Sequence, residues 1–214
     1  MVNYWLMITA EFENVATLQP QGGCDDPSFT YFFKMKCGSC GELTDKETCV
    51  ALERSVQIPG SKGTANLVQK AYQSVMRMDL ASSKHRVVPI ATVAKVIFLC
   101  NEWLCYYCPS ALHSPQCKFC EREGTVSLIP GKGKPLTQEL SEAGKYTGLM
   151  MFDCRGYEPV GFLFEGGWMV ETAAGTKFED IDLSDGEFME YDEKGKCSVM
   201  ISNLKSGFVV AKGK

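Results

Sequence analysis

Three pairs of cysteines with two residues between them constrain this chain more than any other feature of its sequence. They lie at residues 37–40, 105–108 and 117–120. This spacing lets two thiolates reach one zinc ion at sulfur–zinc distances of about 2.3 Å, and two such pairs complete a tetrahedron. We therefore expect two of the three pairs to meet in the fold and to hold distant segments of the chain together.

Glycines distinguish the pairs from one another. Cys37 and Cys40 enclose Gly-Ser and are followed by Gly41, which allows the tight turn that directs backbone N–H groups at the sulfur atoms. The pair at residues 105–108 encloses two tyrosines and has no glycine nearby, yet from its spacing alone it stays a competing pair of ligands. Four of the five cysteines outside the pairs are predicted to serve as small apolar side chains, namely Cys24, Cys49, Cys154 and Cys197.

The composition indicates a reducing compartment, the cytoplasm or the nucleus. Eleven cysteines in 214 residues are too few for a small disulfide scaffold, and their number is odd. The first residues have the pattern of a strand and not of a signal peptide. No apolar run is long enough for a membrane-spanning helix, so we expect no membrane partner. A net charge of −4 argues against a broad phosphate-binding surface.

Short strands separated by turns dominate the sequence on both sides of residues 71–116. Residues 5–12 alternate apolar and other side chains, with Leu6, Ile8 and Ala10 on one face, and residues 31–37 alternate in the same way. Many short strands with closely spaced turn signals are typical of a sandwich or a barrel. We therefore predict an all-β fold made by one zinc-binding β domain, residues 1–70 and 117–214.

Residues 71–116 form an atypical insertion in this prediction. The block has few charged residues, contains both histidines, His85 and His113, and resembles read-through or alternatively spliced sequence. We expect it to be poorly ordered, because a long loop with many exposed apolar residues invites association more than packing. Without the block, thirty residues separate Cys40 from Cys117, which suits two zinc knuckles on neighbouring hairpins.

Several segments of the chain resemble the eukaryotic CXXC-motif-containing zinc-binding protein family. The likeness covers residues 4–70 and 117–210 and is carried by segments 10–20, 33–45, 60–70, 117–123, 152–162, 175–183 and 190–194. It implies that Cys37, Cys40, Cys117 and Cys120 bind one zinc ion, and that the β fold has two similar halves. A faint internal repeat agrees with this, because FKMKCGSCGE and MMFDCRGYEP share an aromatic residue, a cysteine and a turn.

The predicted function is a non-catalytic zinc-binding protein, a monomer that acts through an unidentified protein partner. Four cysteine ligands leave no open position for water, so we expect no enzyme activity at the metal. One alternative is a thiol–disulfide or metal-transfer protein that uses its cysteine pairs. The weaker alternative is a zinc-ribbon nucleic-acid binder with Lys34 and Lys36 beside aromatic residues, which the acidic composition disfavours.

Overall fold

The structure is a computed structural model that describes residues 2–58, 60–69, 120 and 123–212. Strands make up most of these residues, and the helix within them is a single short turn. The prediction of an all-β fold is confirmed. In this part of the chain, no helix has the length and apolar character that crossing a membrane would require.

The described residues form fifteen strands and one helix. In chain order these are β1 Val2–Glu13, β2 Val15–Pro20, β3 Tyr31–Cys37, β4 Thr48–Val50, β5 Val56–Gln57, β6 Thr64–Ala65, β7 Leu67–Gln69, β8 Gly124–Ile129, β9 Leu136–Thr137, α1 Gln138–Glu142, β10 Thr147–Arg155, β11 Tyr157–Leu163, β12 Trp168–Thr172, β13 Lys177–Ile181, β14 Phe188–Asp192 and β15 Cys197–Val210.

Antiparallel sheets enclose the core. The largest has six strands in the order β14-β15-β1-β10-β8-β7, and a second has four in the order β13-β12-β2-β9. A third sheet, β11-β3-β4, carries the first cysteine pair at the end of β3, and β5 pairs with β6. The strand β1 comes first in the sequence and β15 comes last, and the two pair with each other. The first and the last described strands therefore lie side by side in the largest sheet.

Alternating burial along the strands builds the core, as the sequence predicts. Leu6, Ile8 and Ala10 in β1 are buried, and Tyr31, Phe33 and Met35 in β3 are buried as well. The lysines between them, Lys34 and Lys36, alternate away from that face. Tyr31 and Phe33 therefore serve the core, whereas Phe32 is half-buried and alternates onto the same face as Lys34 and Lys36.

Aromatic rings fill the centre between the sheets. Trp168 is fully buried, and its indole Nε1 donates a hydrogen bond to the Phe164 carbonyl at 3.1 Å. Phe29 packs edge-on against Trp168 and Tyr31, with ring centroids 5.4 and 4.9 Å apart. Edge-on pairs of this kind add about 0.5–1.5 kcal/mol beyond the area that they bury. The contacts join β12 to β3 and thereby support the strand that leads to the cysteines.

One long strand replaces two short ones that the sequence predicts near the end of the chain. The pattern favours strands at 198–201 and 208–211, whereas β15 runs continuously over Cys197–Val210. A bulge explains the difference: Asn203 has a φ of 51°, and the register with β1 shifts between Thr9 and Glu11. The extra residue interrupts the alternation of side chains while the strand itself continues.

The predicted insertion, residues 71–116, lies outside the described residues, and so do Cys105, Cys108, His85 and His113. Its proposed boundaries stay a prediction. The strands on either side of it are adjacent, because Gln69 in β7 is the register partner of Gly124 in β8. An antiparallel pair of this kind can be closed by a short loop.

A buried carboxylate links two turns at one end of the fold. Thr172 and Thr176 donate hydroxyl hydrogen bonds of 2.7 Å to the two oxygens of Asp192, and the Lys194 amide donates another at 3.0 Å. The Thr176 hydroxyl is the largest influence on the Asp192 pKa and, with the other donors, lowers it to about 2 against the opposing effect of burial. The carboxylate thus joins the β12–β13 turn to the β14–β15 turn.

We expect Asp192→Asn to change how stability depends on acid. A carboxyl group whose pKa is lower in the folded than in the unfolded protein stabilises the fold above the unfolded pKa and loses that contribution as the pH falls through the folded pKa. For Asp192 this window runs from about pH 4 to about pH 2. Urea unfolding across the window should show a shallower pH dependence in Asp192→Asn. Equal slopes in both proteins would contradict the assignment.

Candidate metal centre

The first cysteine pair sits in a tight loop at the end of β3. The Thr44 amide donates to the Met35 carbonyl at 2.8 Å, and the Cys37 amide donates to the Glu42 carbonyl at 2.7 Å. These bonds pair the chain entering the loop with the chain leaving it. Residues 38–41 form the tip; Cys37 directly precedes it, and Cys40 is its third residue.

Glycines shape this loop as the sequence predicts. Gly41 has a φ of +76°, a left-handed conformation that favours glycine, and its amide donates to the Cys37 carbonyl at 2.9 Å. The Gly38 amide donates to the Gly156 carbonyl at 3.0 Å. A Cβ atom at Gly38 would lie 3.3 Å from that carbonyl oxygen, a tight contact, so the close approach favours glycine.

Three cysteine sulfur atoms meet at this loop. The Sγ atoms of Cys37, Cys40 and Cys120 all lie within 4.8 Å of one another. The Sγ atoms of Cys37 and Cys120 are 3.5 Å apart. Tetrahedral zinc with sulfur ligands at about 2.3 Å separates its sulfur atoms by about 3.8 Å. The three thiols therefore suit zinc in both chemistry and spacing.

The surroundings of the Cys37 thiol favour its ionisation. Burial is the largest influence and acts to raise its pKa, but the amides of Cys40 and Ser39 and the thiols of Cys120 and Cys40 together lower the pKa to about 6. The side chain is buried, whereas those of Cys40 and Cys120 are exposed. The loop thus favours the thiolate, the form that binds metal.

Cys120 approaches the first cysteine pair from the chain that leads into β8. Cys120 precedes β8 by four residues, and β8 pairs with β10, which leads into the Arg155–Gly156 turn beside the loop. Cys117 lies outside the described residues. Three of the four predicted ligands are thus brought together, and the fourth stays a prediction.

The four described cysteines outside the pairs do not belong to this cluster. Cys24 and Cys154 are buried, and desolvation by burial raises the pKa of each to about 12. Cys49 and Cys197 are half-buried, and the Cys49 Sγ accepts a hydrogen bond from Arg54 Nη1 at 3.3 Å. The apolar role predicted for all four suits Cys24 and Cys154 best, and Cys49 has a polar contact as well.

Two residues that support the loop from the other half of the fold are not among the site residues that the sequence predicts. Gly156 accepts the Gly38 amide, and Tyr157 is the register partner of Cys37. The internal repeat indicates these two residues, because its second copy reads Cys-Arg-Gly-Tyr where the first has Cys-Gly-Ser-Cys. The two repeated segments lie against each other, each with a glycine turn after its strand.

We expect a variant without residues 71–116 to fold and to bind zinc as the full chain does. Removing the block leaves residue 70 and residues 117–123 between Gln69 and Gly124, enough to close the β7–β8 hairpin and to keep both cysteines in its loop. Far-ultraviolet circular dichroism and zinc stoichiometry would check this. A shortened chain that loses its β signal would show that the block is part of the fold.

Comparisons with known proteins agree with this site. A sequence model described as "CXXC motif containing zinc binding protein, eukaryotic" matches residues 5–89 and 113–209, leaving out residues 90–112 within the predicted insertion. Proteins named CXXC motif containing zinc binding protein are 30% identical to this chain in Xenopus laevis and in Homo sapiens. The first match covers 97% of this chain and 98% of the relative, and the second covers 95% and 96%.

Solved structures share the fold. The structure titled "Crystal Structure of C1orf123" superposes with a TM-score of 0.68 at 28% identity, covering 98% of this chain and 99% of that one. A hypothetical protein from Plasmodium falciparum has a TM-score of 0.63 at 20% identity over 99% of this chain and 100% of that one, which shows a common fold alone. By the family match, the relatives and the cluster of cysteines, this chain belongs to the eukaryotic CXXC-motif-containing zinc-binding protein family.

Proposed function

We propose that this protein is a non-catalytic zinc-binding protein in which Cys37, Cys40, Cys117 and Cys120 hold one structural zinc ion. The observation that carries the proposal is the convergence of three thiols on a glycine-rich loop, with sulfur separations suited to one ion. We further propose that the protein is a monomer that acts through contacts with a protein partner, with no nucleic-acid or membrane partner.

The fourth thiolate would close the coordination sphere. Four sulfur ligands leave zinc without a position for water, and a closed site has no means of activating water for hydrolysis. Three of the ligands come from two segments 80 residues apart in sequence, Cys40 and Cys120. The role of the metal would therefore be to fix the first loop against the start of β8.

Zinc stoichiometry by native mass spectrometry tests this proposal on the full chain. We expect one zinc ion per chain, lost in Cys37→Ser, Cys40→Ser, Cys117→Ser and Cys120→Ser. The matched controls are Cys49→Ser, at a half-buried cysteine outside the cluster, and Cys105→Ser, from the competing pair; both should retain the ion. Loss of zinc from Cys105→Ser but not from Cys117→Ser would show that the pair at residues 105–108 binds the ion in place of the pair at residues 117–120.

A thiol–disulfide or metal-transfer role is the second candidate, favoured by the exposure of Cys40 and Cys120 and by the 3.5 Å separation of the Cys37 and Cys120 sulfurs. In such a reaction the two thiolates would give two electrons to hydrogen peroxide, forming one disulfide and, with two protons, two waters, while zinc leaves. Reversible release of zinc by mild peroxide would favour this role. Zinc that stays bound under the same treatment would support the structural role.

A further inference from the structure

We propose that the outer edge of the largest sheet binds an extended, basic segment of a partner protein as an additional strand. The surface consists of strand β14 with the outward side chains Met189 and Tyr191, together with Met200 of β15; we call it the β14 surface. The inference names a partner class and a surface for the proposed role in protein contacts, on which it rests, but it is independent of the zinc site.

Strand β14 is the outermost strand of its sheet. It pairs with β15 through five register pairs, from Phe188–Ile201 to Asp192–Cys197, and in the described part of the chain it has no strand on its other side. The backbone N–H and C=O groups on that side are positioned to pair with an added strand. Protective proline and lysine residues are missing from its sequence, FMEYD.

Apolar side chains accompany this edge. Met189 is 72% exposed and Tyr191 is 56% exposed, and their i, i+2 spacing places both on one face of the strand. Met200, half-buried, is the register partner of Met189 and continues the apolar surface onto β15. The side chains of an added strand that alternate toward this face would meet apolar contacts.

The acidic charge of β14 and of the chain segments on either side of it selects the partner. Between residues 177 and 196 there are seven exposed acidic residues, and the basic residues of the segment are three lysines. The acidic ones are Glu179, Asp180, Asp182, Asp185, Glu187, Glu190 and Glu193. Glu13 is exposed as well. It lies in β1, the neighbour of β15 on the side opposite β14, and is the register partner of Met200 there. A strand that carries lysine or arginine would be attracted to this field.

The same charge argues against other occupants. A second copy of this chain would bring an equally acidic edge, and juxtaposed like charges cost several kcal/mol. Nucleic acid would be repelled for the same reason. An apolar and basic extended segment satisfies the backbone edge, the methionine and tyrosine side chains and the acidic surroundings together.

Fluorescence anisotropy on the zinc-loaded full chain tests the inference. The probe is a labelled eight-residue peptide of alternating lysine and valine, compared with a peptide of alternating glutamate and valine. We expect the lysine peptide to bind at least about tenfold more tightly, and added salt to weaken its binding. N-methylation of alternate backbone amides of the lysine peptide, which removes strand pairing, should abolish binding.

Variants locate the contact. Met189→Lys and Tyr191→Lys should each weaken binding of the lysine peptide about tenfold. Tyr146→Lys should leave it unchanged, because this exposed tyrosine precedes β10, which β15 and β1 separate from β14 in the sheet. Equal binding by the two peptides, no effect of Met189→Lys, or a dimer in size-exclusion chromatography that Met189→Lys dissociates would overturn the inference. Zinc is counted in the same samples. If the peptide does not bind although the chain retains one zinc ion, the proposal for the β14 surface is wrong and the zinc-binding role is unaffected. If the zinc-binding role is wrong, the wild-type chain will contain no zinc.

Discussion

Removing zinc from this protein should lower its melting temperature by about 10–20 °C. Structural zinc binds small zinc-finger peptides with an apparent free energy of about 10–16 kcal/mol at neutral pH, and part of that becomes folding free energy. If about 5 kcal/mol of it supports folding, the shift for a chain of this size is in the range given. We expect the effect because zinc bound to Cys37 and Cys120 would join the end of β3 to the residues before β8, and these two strands do not pair with each other.

Differential scanning fluorimetry with and without a strong chelator measures this shift, and native mass spectrometry of the same samples confirms that the ion has left. Cys37→Ser is the control, since a chain that has lost a ligand should melt near the chelated wild type and should not respond to the chelator. An unchanged melting temperature after complete removal of zinc would contradict a structural role and favour a site that exchanges its metal freely.

The sequence predicts the parts of this fold in which a local pattern determines the outcome. Alternation in β1 and β3 reports burial directly, because successive side chains of a strand face opposite sides. The Cys-Gly-Ser-Cys-Gly motif predicts a turn that directs two thiols at one point, and Gly41 has the left-handed conformation that this turn uses. In both cases the information lies within a few residues.

Long-range pairing accounts for what the sequence does not predict. The strand β1 lies between β10 and β15, and no local pattern specifies that its partners come from the second half of the chain. The strands β2 and β12 pair with each other across about 150 residues, and the sequence pattern predicts neither of them. The cost of closing such loops grows only slowly with length, so distance in sequence does not limit the possible partners.

The candidate metal centre also has a part that the sequence predicts and a part that it does not. The sequence identifies the ligands, because their chemistry is local, but it does not identify what holds the loop in place. The Gly38–Gly156 hydrogen bond and the pairing of Tyr157 with Cys37 connect the first loop to the second half of the fold. Close packing at these contacts depends on three segments at once, and it is there that we expect substitutions outside the ligand set to affect zinc.

Gly124→Ala should destabilise the fold and weaken zinc binding, although Gly124 is not a ligand. An added Cβ atom at this position would overlap the ring of Tyr157 and the carbonyl oxygen of Arg155. Overpacking of a filled site costs about 1–3 kcal/mol and occasionally more, and at about 3 kcal/mol the melting temperature would fall by about 6–12 °C. Relief of the overlap moves either β8, which follows Cys120, or Tyr157, the strand partner of Cys37.

Both ways of relieving this overlap would shift one of the Cys37 and Cys120 thiols relative to the other, so a competition titration with a chromophoric chelator should show zinc affinity reduced about tenfold or more. Gly207→Ala is the matched control: Gly207 lies in β15, and a Cβ atom there would meet nothing within 4 Å. That variant should keep wild-type affinity and melting temperature. A Gly124→Ala protein that melts early but binds zinc normally would show that the two cysteine loops are positioned by the metal itself, since the ion would then hold the thiols together against a displaced strand.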